Sequence, residues 1–308
     1  MTEKLVVNSS PHIHTADTTR GIMMDVLIAL APASVFGIIL FGWRAALLIA
    51  VCVASCIIFE AISCKVMGRD ISVGDLSAAV TGLLLALNLP SGLPIWMAVF
   101  GCLVAIVVTK QMFGGLGHNF VNPAIAARIV LLISFPVQMT KYAEPFGSIA
   151  VTSATPLSDA AITEKLYSLK ELVFGTHGGS IGETSVICLG IGALYLIFRG
   201  VINPIIPVSF IGSVALLAVA FNDNPLYAIC SGGVVLGACF MATDYVTSPS
   251  TNLGKLIFGI GCGIVTFIIR SGAAAEGVSL AILFMNLLVP HIDSITRRKP
   301  FGWEAAKK

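Results

Sequence analysis

Two sets of residues in this chain have types and spacings suited to chemistry. The first is the run Val151-Thr152-Ser153-Ala154-Thr155-Pro156-Leu157. On pattern alone it is a helix start. Thr155 supplies the N-cap oxygen, Pro156 takes the first helical position, and Asp159-Ala160-Ala161-Ile162 continues the helix. The second set is charges placed among apolar residues: Asp25, Glu60, Asp75, Arg128, Glu183 and Asp244. A charge in hydrocarbon is costly, so such groups face a cavity or a partner. Asp25, Glu60, Arg128 and Asp244 are the candidate ion-path or intramembrane charges. For Asp25 and Asp244, a cation path and an ion pair inside the bundle, for example with Arg128, stand side by side. Glu60 either snorkels toward water on the lipid side or meets a neighbouring subunit. Asp75 and Glu183 lie near segment ends, where they cap helices.

Other polar residues have plainer roles. Asn119, Asn122 and Asn203 sit beside proline or glycine near segment starts and are expected to cap helices. Gly178-Gly179 is expected to form a turn, and His12-x-His14 is expected to be solvated. The eight cysteines contain no CxxC pair and lie in apolar runs, where a free thiol behaves as a small hydrophobe. Cys52 and Cys56 share a helix face, which is weak evidence for a metal site. There is no P-loop, no GxGxxG after a strand and no metal-ligand cluster.

The elements that position these residues must be membrane helices. The chain has 308 residues, of which 56% are hydrophobic and only 11% charged. Its mean hydropathy is +0.95. A soluble domain is nearer 25% charged, so an ordinary soluble enzyme is excluded, and so is a disordered chain. A net charge of +2 is too small to indicate nucleic acid. Ten apolar segments are legible, at 21–42, 45–67, 73–89, 93–112 and 121–137, then 183–198, 201–220, 226–243, 253–270 and 273–291. Several are short or broken by glycine and proline, which membranes tolerate only where protein or a cavity covers the freed backbone. Residues 1–20 are polar and the first apolar stretch is a full span, so no cleaved signal peptide is expected.

Placing the N-terminus in the cytoplasm puts twelve of the eighteen lysines and arginines in inside loops and tails and five in outside loops, with Arg128 in a span. Both termini are then inside and the long loop outside. A faint repeat relates Thr81-Gly82-Leu83-Leu84-Leu85-Ala86 to Gly232-Gly233-Val234-Val235-Leu236-Gly237. Each is followed by a polar break and an apolar helix ending in a base, Lys110 or Arg270. Five is odd, so two such halves must be inverted. The expected fold is an all-α polytopic membrane protein of about ten helices in two inverted five-helix repeats. It divides into an inner tail (1–20), repeat 1 (21–137), an outer loop (138–182), repeat 2 (183–291) and an inner tail (292–308).

The Thr-Ser-Ala-Thr run resembles the flavinylation motif of a family comprising the D subunit of the Rnf complex and the B subunit of the sodium-pumping NADH:quinone oxidoreductase. Other segments are similar to the same family in the same order. They are Ser10-Pro11-His12 with Thr19-Arg20-Gly21-Ile22-Met23; Gly117-His118-Asn119-Phe120-Val121-Asn122-Pro123-Ala124 with Arg128; Gly179-Ser180-Ile181-Gly182-Glu183-Thr184-Ser185; and Asp244-Tyr245-Val246-Thr247-Ser248-Pro249. The length fits the shorter, Rnf branch. Two positions depart from the motif: Ile149 stands where an aspartate is usual, and Ser153 where a glycine is usual. The Ser/Thr-x-Ala-Thr core is intact.

The resemblance implies FMN held through a phosphoester on Thr155, with Thr152, Ser153 and Ala154 as its motif, attached by a flavin transferase. A threonine at an exposed helix start suits both that enzyme and a phosphate. It implies a subunit without a complete active site of its own, in a complex that moves electrons between ferredoxin and NAD and couples them to Na⁺ or H⁺ translocation. The implied partners are the iron–sulfur B subunit, the NAD-binding C subunit, the flavin-bearing G subunit and further membrane subunits. The implied location is a bacterial or archaeal cytoplasmic membrane, with the flavin loop outside. The quinone-reductase relative holds a second, non-covalent flavin, riboflavin, for which no signature is found here. Two other readings compete: a flavin-free inverted-repeat transporter or channel, similar in plan to urea transporters, and a structural membrane scaffold. Neither accounts for the Thr152–Thr155 motif as a flavin site.

Overall fold

Thr18 accepts a hydrogen bond from the Gly21 N–H and starts α1, Thr19–Phe41. Gly42, at φ 73°, reverses the chain with a conformation that costs glycine little, and α2 follows as Trp43–Val66. The computed structural model describes residues 18–70, 72–146, 152–153, 168–272 and 277–297. Each of the ten apolar segments contains helix. After α2 come α3 (Ser77–Leu87), α4 (Ile95–Gln111, π-wound from Val104), α5 (Pro123–Ser134) and the single turn α6 (Pro136–Met139). The strands β1 (Tyr142–Ala143) and β2 (Thr152–Ser153) pair antiparallel, and α7 is Leu169–Phe174. The remaining helices are α8 (Val186–Phe198), α9 (Ile205–Ala220), α10 (Pro225–Cys230), α11 (Val234–Leu236, continuing π-wound to Met241), α12 (Asn252–Gly272) and α13 (Gly277–Thr296).

Among the described residues, α1, α2, α12 and α13 are long and apolar enough to cross a membrane, and shorter apolar helices lie between them. The polarity is that of a polytopic membrane protein. Val66, Phe198 and Ile295 project outward, whereas Glu60, Lys110, Gln111 and Arg128 are buried. In the first half α2 packs on α3 and α4, and α4 on α5. In the second half α9 packs on α10 and α12, and α12 on α13. The halves meet where α1 crosses α8. At that crossing a side chain on Gly192 would run into the carbonyl oxygen of Ala29.

The short helices are completed by backbone from elsewhere. The eleven residues of α3 rise only about 16 Å, roughly half the hydrocarbon core. The carbonyls of Leu87 and Leu89 then accept from the N–H groups of Gly182 (2.8 Å) and Ile181 (3.1 Å). The segment between α7 and α8 is therefore held inside the bundle, with His177, Ser180, Ile181 and Thr184 buried. The expected glycine turn at 178–179 lies in this segment and is buried with it.

Candidate functional site

The polar features gather at three levels along the bundle. At the end where α1 begins lies a cavity of about 340 Å³. Its apolar wall includes Ile22, Met23, Val26, Leu84 and Phe240, and its polar side includes Ser77, Lys110, Asn119 and Asp244. Asn122 caps α5 by accepting from Ala124 N–H (3.0 Å), and its amide nitrogen donates to the Met241 carbonyl (3.1 Å). With its amide turned to satisfy both neighbours, Asn286 accepts from Asn122 N–H and donates to the Thr247 carbonyl, each at 3.1 Å. Thr247 in turn donates to Asp244 Oδ2 at 3.0 Å.

Beside this cavity sits a fully enclosed ion pair. Lys110 Nζ is 2.6 Å from Glu60 Oε1, and the side chains are 3% and 0% exposed. Ser72 and Gln111 also donate to Glu60 Oε1 (3.1 and 3.0 Å). Glu60 therefore neither snorkels nor faces a neighbouring subunit. A base 50 residues away in sequence reaches it across the α2–α4 contact. By position in the chain Lys110 belongs to an inside loop, and nothing in the local sequence distinguishes a lysine at a helix end from one folded inward.

Asp25, on the same part of α1, accepts from Tyr195 Oη (2.8 Å) and from Arg199 Nε and a terminal nitrogen (3.3 and 3.1 Å). It therefore clasps α1 to α8 and is committed to an ion pair. Asp75 accepts from the Ser77 N–H (2.8 Å), the capping role expected of it. Asn203 does the same for Ile205.

At mid-bundle, Arg128 donates to Asn88 Oδ1 (2.5 Å) and lies 3.8 Å from Glu183 Oε2. Glu183 accepts from Ser180 N–H, while α8 is capped by Ser185. The capping role expected of Glu183 is thus taken by its neighbour, and Glu183 spends its charge beside Arg128. Arg270, which by position belongs to an outside loop, turns inward instead. It donates to the carbonyls of Ala228, Ser231 and Gly232 (2.9, 2.9 and 3.0 Å) at the break between α10 and α11. That break interrupts a helix whose last carbonyls need donors. Removing Lys110 and Arg270 from the loop tally leaves the excess of bases on the same side.

At the far end of α1, the Phe146 N–H donates to the Leu40 carbonyl. This ties the β1–β2 ribbon to the end of α1 opposite the cavity. β2 is Thr152–Ser153, paired with Ala143 and Tyr142. Ala154, Thr155, Pro156 and Ile149 lie outside the described residues, as do His12 and His14. All eight cysteines are free, and Cys52, Cys56 and Cys102 are fully buried. Among the described residues no group of histidine, cysteine and carboxylate side chains is placed to hold a metal.

The model of the NQR2, RnfD, RnfE family matches residues 6–302. The chain is 45% identical to the D subunit of the Na⁺-translocating ferredoxin:NAD⁺ oxidoreductase complex of Acetobacterium woodii, over 99% of this chain and 97% of that protein. It is 40% identical to the D subunit of the proton-translocating ferredoxin:NAD⁺ oxidoreductase complex of Clostridium ljungdahlii, over 96% of each. It is 39% identical to the D subunit of the ion-translocating oxidoreductase complex of Stutzerimonas stutzeri, over 93% of each. By both measures the chain belongs to the NQR2, RnfD, RnfE family.

Proposed function

We propose that this chain is a membrane electron-transfer subunit of an ion-translocating ferredoxin:NAD oxidoreductase. The observation that carries the reading is the end-to-end match to proteins named as the D subunits of such complexes. The chain sits in a bacterial cytoplasmic membrane with both termini inside and the β1–β2 ribbon outside. Partner subunits supply the iron–sulfur clusters and the NAD site.

FMN is carried on Thr155 through a phosphoester. Two observations support this. The Thr152-Ser153-Ala154-Thr155 core is intact. The backbone of Thr152–Ser153 is held by β1, so the attachment residue follows an anchored strand by two positions. When bound, FMN supplies reversible one- and two-electron chemistry, and the protein contributes position and electrostatics. A second, non-covalent flavin of the riboflavin type takes the cavity at the start of α1. A slot of about 340 Å³ with apolar walls and a few polar groups on one side has the character of a small-molecule site. Lys110, Asn119 and Asp244 are the groups that would hold it.

The helices form two inverted repeats of five. Support comes from the matched packing in each half. It also comes from the base ending the fourth apolar segment of each half, which reaches the third segment of its own half: Lys110 to Ser77, and Arg270 to Ser231 at the break within that segment. Of the candidate ion-path residues, Asp244 is the one that lines the open cavity, and it is where Na⁺ or H⁺ would be met.

The test is in-gel fluorescence under ultraviolet light of denatured protein co-expressed with a flavin transferase, wild type beside Thr155→Ala. A fluorescent wild-type band that is lost in the variant is expected. A dark wild-type band beside a fluorescent control protein would overturn the covalent flavin, and solute uptake by the isolated subunit would then favour a transporter.

A further inference from the structure

The polar side of the cavity is joined to the face of the bundle by a short, continuous chain of hydrogen bonds. Lys110 lines the cavity, and its Nζ donates to Ser77 Oγ at 2.5 Å. Ser77 Oγ donates to Asp75 Oδ1 at 2.6 Å. Lys110 and Ser77 are 2% and 4% exposed. Asp75 is half-buried, next to the exposed Gly74, at the end of the bundle where α3 begins. Three exchangeable groups thus lead from solvent to the cavity with no gap longer than a hydrogen bond.

We infer that Asp75, Ser77 and Lys110 form a proton relay between solvent and the occupant of this cavity. The inference rests on the reading that the cavity holds a redox group of the flavin class, whose reduction takes up protons as well as electrons. Asp75 first takes a proton from a hydronium ion of solvent. Lys110 gives a proton from Nζ to the occupant and is left as the neutral amine. The hydroxyl proton of Ser77 passes to that amine as the Ser77 oxygen takes the proton of the Asp75 carboxyl, which returns Asp75 to its ionised form. No electron travels along the relay; electrons come from the complex's own donors. The observed orientation, Lys110 to Ser77 to Asp75, is the resting state with Lys110 charged and Asp75 ionised. On reoxidation the same bonds carry the proton outward.

The groups facing Lys110 fit this assignment. Glu60 holds the ammonium at 2.6 Å and is itself fully buried, with Oε2 lacking a partner. It stabilises the charged resting state and leads to no further acceptor through that oxygen. Ser72 donates to Glu60 Oε1 at 3.1 Å and so belongs to the branch that fixes the charge. Asp244 lines the same cavity as Lys110. Proton transfer by a positioned group contributes about 10²–10⁴-fold to a rate, so interrupting the relay must be visible in turnover.

The experiment uses the purified full complex, first in four forms: wild type, Ser77→Ala, Ser77→Thr and, as a control at an exposed serine of α12, Ser271→Ala. Acid-extractable flavin is measured first, then ferredoxin-dependent NAD reduction across pH in H₂O and D₂O. Ser77→Ala is expected to keep its flavin and lose at least about tenfold in turnover, with a larger solvent isotope effect and an altered pH profile. Ser77→Thr, which retains the hydroxyl, is expected to restore turnover, and Ser271→Ala to match wild type. Ser77→Ala with full flavin content, wild-type turnover and a wild-type isotope effect would overturn the relay alone. A fifth form, carrying Asp244→Asn with Lys110→Met, tests the occupant: acid-extractable flavin undiminished in that complex would overturn the cavity reading and the relay with it.

Discussion

The ammonium of Lys110 lies 2.6 Å from the carboxylate of Glu60, and both side chains are buried. Either charge alone in that place would be stranded in low dielectric. Removing one partner of a buried pair costs about 3–5 kcal/mol, whereas replacing both with well-packed apolar groups is often neutral. Lys110→Ala is therefore expected to lower the unfolding temperature sharply, and Lys110→Met with Glu60→Leu to recover most of the loss. Thermal unfolding of the purified complex reads both, and equal damage from the single and double variants would contradict the account.

The α1–α8 crossing should be intolerant of a single methyl group. A Cβ at Gly192 meets the Ala29 carbonyl, which is backbone and cannot swing aside. Gly192→Ala is expected to cost about 1–3 kcal/mol. Gly190, two residues away in the same helix, has nothing within 4 Å of its would-be Cβ. Gly190→Ala should be neutral or stabilise by about 0.5–1 kcal/mol. Folded yield in a mild detergent separates the two.

Within the flavin motif only one hydroxyl should matter. Thr152 has its backbone in the β1–β2 pair, so Thr152→Ala is expected to retain the fluorescent band that Thr155→Ala loses. The N-cap role that the sequence alone suggests for Thr155 is worth only about 0.5–2 kcal/mol, so Thr155→Ala should still assemble into the complex. A dark Thr152→Ala band would move the attachment point.

Two asparagine caps offer an internal comparison. Asn122 is buried, caps α5 and also bonds the Met241 carbonyl. Asn224 is exposed and caps only α10. Asn224→Ala is expected to cost about 1 kcal/mol. Asn122→Ala should cost more, since it adds a buried unsatisfied carbonyl worth about 1–3 kcal/mol. Similar shifts in unfolding temperature for the two would show that the Met241 contact carries no weight.

The amino-acid sequence by itself determined a great deal here. Apolar segments of membrane length, glycine and proline breaks, and the motif string placed the apolar helices to within a few residues and identified the family. It did so because hydrophobic length and chain punctuation are local properties. Asp75 and Asn122 were also legible as caps, since a cap bonds residues two or three positions away. What only the tertiary structure decided is which charges meet. Glu60 and Lys110 are 50 residues apart, Asp25 and Arg199 are 174 apart, and Arg128 meets Glu183 of the buried segment between α7 and α8. Lys110 and Arg270 look like ordinary loop bases, yet both fold inward. Partner choice for a buried charge is set by which helices pack together. That packing is fixed by close contacts such as Gly192 on Ala29, whose signal is spread over the whole chain.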